Sequence, residues 1–74
     1  MKRLGKKVQY FGIGIVITMP YVAVDKNGYL FEYEKEPTKS EAIPVWGAPG
    51  EFNKLCKVDL EGTDWKETLL RFDV

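Results

Sequence analysis

Three observations predict a mainly β (α+β) fold, a three- to four-stranded antiparallel sheet or SH3-like small barrel with one short C-terminal helix. The segment Tyr21-Val-Ala-Val-Asp-Lys-Asn-Gly-Tyr-Leu-Phe-Glu-Tyr-Glu-Lys-Glu-Pro37 holds two β-prone alternating runs about Asn27-Gly28 and is closed by proline. Residues 8–18, Val-Gln-Tyr-Phe-Gly-Ile-Gly-Ile-Val-Ile-Thr, are rich in β-branched and aromatic side chains over a strand-like length. Near the end, Asp64-Trp-Lys-Glu67 has capping-box spacing, and Trp65, Leu69 and Phe72 follow at helical intervals.

The elements follow in chain order. Residues 1–7 read as a basic arm carrying Lys2, Arg3, Lys6 and Lys7, and residues 8–74 as a single small β domain. A strand over 8–18 puts Phe11, Ile13, Ile15 and Ile17 on one face and Tyr10, Gly12, Gly14 and Val16 on the other. Both faces are apolar, as in a central or covered strand, and Gly12 and Gly14 mark a bend, a bulge or a close backbone approach. Pro20 ends the run.

Asn27-Gly28 favours a two-residue type I′ turn, because both central residues need positive φ and these two types tolerate it best. Lys26 then faces Tyr29, and the pairs run Asp25 with Leu30, Val24 with Phe31, Ala23 with Glu32, Val22 with Tyr33 and Tyr21 with Glu34. Val22, Val24, Phe31 and Tyr33 share the inward face, while Leu30, Glu32, Glu34 and Glu36 share the outward one. A three-residue loop with a bulge competes, but it breaks this sorting of carboxylates away from the core. Residues 37–50, with three prolines around Trp46, form a long connection. Residues 52–60 read as a further strand, with Cys56, Val58 and Leu60 inward, and 64–72 as a helix of about two turns.

Seventy-four residues make one domain with a small core, and a chain of this length buries only about 60% of its unfolded surface. A hydrophobic content of 45% is too high for a disordered chain. Eleven basic and eleven acidic residues cancel, so net charge favours neither nucleic acid nor a membrane surface as a direct partner. The basic arm takes four of the positive charges, which leaves the body acidic. One cysteine makes no internal disulfide, which fits a reducing, cytoplasmic setting, and with no histidine to activate it Cys56 reads as a small hydrophobe. The basic start and apolar run have the outline of a signal peptide. No small-x-small cleavage site follows, however, and the run falls short of the roughly 20 residues that span a bilayer.

No catalytic constellation emerges, and the expectation is a protein that is not an enzyme and needs no cofactor or metal. Asp25-x-Asn27-Gly28 resembles the start of a calcium loop, but the glycine stands fourth rather than sixth and Tyr29 occupies a ligand position. Gly12-x-Gly14 lacks the third glycine of a phosphate cradle. The aromatics of 29–33 alternate with glutamates that would repel RNA. Glu32, Glu34 and Glu36, roughly 7 Å apart along one strand face, form a charged stripe more than a catalytic pair. That stripe is either a solvated face or a recognition surface. Trp46 is either a contact anchor, since tryptophan is enriched at interface hot spots, or a lid over a small core.

These motifs together resemble those of a group of small phage and prophage proteins that carry no assigned activity. The matching residues are Tyr21-Val-Ala-Val-Asp-Lys-Asn-Gly28, Phe31-Glu-Tyr-Glu-Lys-Glu-Pro37, Trp46 and Asp64-Trp-Lys-Glu-Thr-Leu69, and they span 21–70. The resemblance implies an accessory protein made in the bacterial cytoplasm. The leading expectation is a binding module for a host or phage macromolecule, with Tyr21, Glu32, Glu34, Glu36 and Trp46 as its contact residues. Two alternatives are an inhibitor whose acidic face imitates nucleic acid and an oligomeric small-ligand sponge. A homodimer through strand 8–18 is the natural oligomer.

Overall fold

In the computed structural model, which describes residues 5–40 and 42–73, the apolar segment 8–18 folds back on itself instead of forming one strand. Strands β1 (Lys6–Tyr10) and β2 (Ile13–Ile17) pair antiparallel, with Tyr10 opposite Ile13 and Val8 opposite Ile15. Their turn is Phe11-Gly12, with φ of 52° and 73°, so the positive-φ pair expected at Asn27-Gly28 occurs here. Folding back brings Val8, Tyr10, Ile15 and Ile17 onto one buried face and leaves Lys7, Gln9 and Val16 outside. Lys6 and Lys7, expected in the basic arm, belong to β1 instead; Lys2 and Arg3 lie outside the described residues.

The main hairpin joins β3 (Tyr21–Val24) to β4 (Tyr29–Tyr33), but in the register that competed with the expected one. Val24 pairs with Leu30, Ala23 with Phe31, Val22 with Glu32 and Tyr21 with Tyr33. The loop has three residues, Lys26, Asn27 and Gly28. The Gly28 amide donates to the Asp25 carbonyl at 2.9 Å, and the Asp25 amide donates to the Tyr29 carbonyl at 3.0 Å. Gly28 takes the left-handed conformation at φ 91°, whereas positive φ among the described non-glycine residues falls at Phe11 and Glu61, not at Asn27. The Asn27 side chain instead accepts from the Tyr29 amide at 3.1 Å. A Cβ on Gly28 would stand 2.8 Å from the Val58 carbonyl oxygen, so glycine is needed for both space and conformation.

One residue of slip exchanges the faces. Val22, Val24, Leu30 and Glu32 now lie together, with Tyr21, Ala23, Phe31 and Tyr33 on the opposite side. The sheet tolerates this because both of its faces are covered. The β1–β2 hairpin closes the first side, where Ile17, Val22, Val24 and Leu30 are inaccessible to solvent; each such side chain stabilises the fold by about 1.5–3 kcal/mol. On the second side Ala23, Tyr33 and Trp46 are buried, flanked by Tyr21, Phe31, Trp65 and Leu69.

The central sheet has the order β7-β4-β3-β8, open rather than closed into a barrel, with β7 (Phe52–Lys57) and β8 (Leu70–Arg71) at its edges. A bulge at Leu55 shifts the β4–β7 register between Leu30 and Phe31, and leaves Cys56 half-buried against the first core. Within the long connection, β5 (Thr38–Lys39) and β6 (Trp46–Gly47) make a small ribbon that holds Trp46 in place.

The helix expected over 64–72 is a single 3₁₀ turn, Trp65–Glu67, followed by β8. Asp64 does cap it, but through the Lys66 amide at 3.0 Å rather than that of Glu67. The cause is Thr68, whose hydroxyl accepts from the Val24 amide at 2.9 Å and lies 2.7 Å from the Trp65 carbonyl. That bond turns the chain into an edge strand beside β3, with Val22 opposite Leu70.

Candidate functional site

The structure disperses the five residues that the sequence groups as a contact surface. Glu32 turns inward and is 3% exposed. Its carboxylate accepts from the Thr18 amide at 2.8 Å, the Thr18 hydroxyl at 3.2 Å, the Met19 amide at 3.2 Å and Asn53 Nδ2 at 3.1 Å. This carboxylate tethers the β2–β3 connection and β7 to β4, and so cannot serve as an exposed contact. Glu34 follows the end of β4, half-buried, with its Oε1 against Gly50; Glu36 is exposed. There is accordingly no continuous acidic stripe, and imitation of a phosphate row loses its basis. Tyr21 is half-buried beside the second core.

Trp46 is 8% exposed, which fits the lid reading. Its indole N–H donates to the Val24 carbonyl at 3.1 Å, with the Trp65 carbonyl at 3.4 Å, and its ring meets Trp65 edge-on at 6.1 Å. Its backbone amide donates to Asp25 Oδ1 at 2.8 Å. The lid therefore hangs on a carboxylate at the mouth of the main hairpin, a role the sequence did not single out for Asp25.

Where lid meets sheet there is a cavity of about 170 Å³, lined by Asp25, Phe31, Tyr33, Trp46, Gly47, Ala48 and Phe52. The rings of Phe31, Tyr33 and Phe52 stand 6.2–6.3 Å from one another, with Tyr33 and Phe52 close to parallel at 29°. Phe52 is 57% exposed and forms the outer wall, while Asp25 is 6% exposed. Burial pushes the Asp25 carboxyl up from its ordinary range, an effect partly offset by the Trp46 amide. The Tyr33 phenol is pushed well above the usual tyrosine range by burial and then by the Asp25 charge. Phe31, Tyr33 and Phe52 escaped the sequence reading because the expected register put the first two in the core and gave the third no neighbour.

Behind the lid, a wider groove brings together Lys26, Lys39 and Lys66 with Trp65 and Ile43. Lys54 and Lys57 lie over the ring of Tyr29, at 4.4 and 5.7 Å from its centre. Among the described residues no group of three or more metal-ligating side chains converges, and no helix is long and apolar enough to cross a membrane. Comparison with protein-family models finds no match for this chain, and neither the curated proteins nor the solved structures return one.

Proposed function

We propose that this protein is a non-enzymatic binding module that engages a macromolecular partner through the second face of its sheet. The contact centres on Phe52 and the cavity beneath the Trp46 loop, with Phe31 and Tyr33 behind them. The supporting observation is the cavity itself, an aromatic recess opening beside a large apolar side chain that is 57% exposed. In a domain with so small a core, exposing such a ring costs burial free energy that a partner would restore. This recess stands in place of the glutamate stripe that the sequence suggests, and Trp46 is the structural wall of the site rather than its protruding anchor. The resemblance to phage and prophage proteins supports the setting of a bacterial host cell.

Affinity capture from bacterial lysate tests this reading with two surface variants. Phe52→Lys alters the proposed contact, and Val16→Lys alters an equally exposed site, at 59%, on the outer face of the β1–β2 hairpin. A protein retained by the wild type and by Val16→Lys, and lost with Phe52→Lys, is the expected result. Capture that survives Phe52→Lys and fails with Val16→Lys would place the contact on the opposite side of the molecule.

A further inference from the structure

We infer that the cavity between the Trp46 loop and the β4–β7 face is a cage for an alkylated ammonium head group, with Asp25 as its counter-charge. The inference rests on the binding-module reading for its location and adds the chemistry of what is bound. Its volume of about 170 Å³ is close to that of an apolar protein cavity, about 150 Å³, that accommodates benzene. A trimethylammonium group is of the same order of size.

The walls select for charge. Four aromatic side chains, Phe31, Tyr33, Trp46 and Phe52, border one small space. Ring faces carry the negative end of the aromatic quadrupole and attract cations, more strongly as the site is desolvated. At the same cavity lies Asp25, whose carboxylate takes a hydrogen bond from the Trp46 amide at 2.8 Å. The ion pair shown among the described residues, Lys66 with Asp64, does not involve it. A carboxylate sunk this far is costly when, as among the described residues, no ion pair offsets its charge, and a bound cation would supply that partner. The same charge disfavours anions.

Alkylation follows from the scarcity of acceptors. A bare ammonium is strongly hydrated and needs three acceptors when it loses that water. Among the side chains that line the cavity, Asp25 carries the one carboxylate and Tyr33 a hydroxyl, while Phe31, Phe52 and Ala48 offer only hydrocarbon. An alkylated ammonium spreads its charge over methyl groups that pack against rings, so it gives up less hydration on entry. Asp25 also has a structural task in holding the lid, and the test must separate the two.

Choline is the first probe, compared with its neutral carbon isostere 3,3-dimethylbutan-1-ol. Binding is read from the fluorescence of Trp46 and Trp65 and from the NMR shift of the Trp46 indole N–H. Asp25→Asn keeps an oxygen for the Trp46 amide while removing the charge, and Phe52→Leu removes one exposed wall. Saturable choline binding is expected, with the isostere and Asp25→Asn each about tenfold weaker or worse, and Phe52→Leu weaker by a few-fold. If Asp25→Asn loses its fold by thermal melt, the Phe52→Leu and isostere comparisons decide. The proposal is overturned by an absence of saturable choline binding, or by an isostere that binds as well as choline. Folded Asp25→Asn binding undiminished would also overturn it. A trimethyl-lysine peptide binding more tightly than choline would assign the head group to a partner chain, and equal binding would assign it to a small free cation; either supports the cage. Partner capture that persists while choline fails would reject the cage and leave the binding module standing.

Discussion

Replacing Glu32 by lysine is expected to unfold the protein, although the residue lies in a run that reads as an outward acidic stripe. The residue is 3% exposed, and its carboxylate satisfies two backbone amides, Thr18 and Met19, together with the Thr18 hydroxyl and Asn53 Nδ2. Lysine has no acceptor, so two backbone N–H groups lose their partner at about 1–3 kcal/mol each. An ammonium buried without an opposing carboxylate adds about 3–5 kcal/mol. A domain of this length has on the order of 5–10 kcal/mol of stability in total, so Glu32→Lys consumes most or all of it. Glu32→Gln keeps one acceptor oxygen and is expected to cost about 1–2 kcal/mol. With a urea slope of about 1 kcal/mol per molar for a small domain, its midpoint should fall by about 1–2 M. Glu36→Lys, at an exposed position, should stay within about 0.5 kcal/mol. Urea titration followed by tryptophan fluorescence measures all three. A Glu32→Lys midpoint within about 0.5 M of wild type would refute the reasoning, because it would require Glu32 to face solvent and the hairpin to adopt the two-residue register.

Two further perturbations probe the rest of the fold. Thr68→Val removes the hydroxyl that accepts from the Val24 amide inside the protein and should destabilise by about 1–3 kcal/mol, with Thr68→Ser close to neutral; a silent Thr68→Val in the same urea assay would contradict the strand at the C-terminus. Tyr10, whose hydroxyl donates to the Thr68 carbonyl, has its phenol pushed up to about 12 by burial, and Tyr33 is raised further. The folded state therefore holds protons that the unfolded chain releases above pH 10, so stability should fall as pH rises through 10 and towards 12. Tyrosinate absorbance from these two phenols should then appear together with loss of tertiary structure; their smooth ionisation near pH 10 in a folded protein would count against their burial.

Much of the local structure was legible because its causes are local. Pro20 and the Asn27-Gly28 pair mark where the main hairpin starts and turns, and β3 and β4 occupy the two alternating runs on either side. Gly12 and Gly14 mark a bend, a bulge or a close approach, and the chain reverses fully at Phe11-Gly12 while Gly14 lies within β2. Trp46 reads from the sequence as either a contact anchor or a lid over a small core, and its burial fits the lid. The C-terminal misreading has an equally definite cause. Asp64 does start a helical turn, but Thr68 finds Val24 before a second turn forms. The spacing of Trp65, Leu69 and Phe72 contains no trace of that contact, since Val24 is 44 residues away in the chain.

The sequence by itself determined a mainly β chain, a hairpin that turns at Asn27-Gly28, and an aromatic complement large enough to build a core. Only the tertiary structure decided which of two registers one residue apart that hairpin takes, and with it every facing choice in the central sheet. The physical reason lies in Glu32. Burying a carboxylate is prohibitive for an isolated hairpin, so alternation alone puts it in water. It becomes acceptable once Thr18 and Met19 from the β2–β3 connection and Asn53 from β7 arrive with their donors. The same slip carried Phe31 and Tyr33 to the opposite face, where Phe52 and the Trp46 loop meet them to form the recess over Asp25.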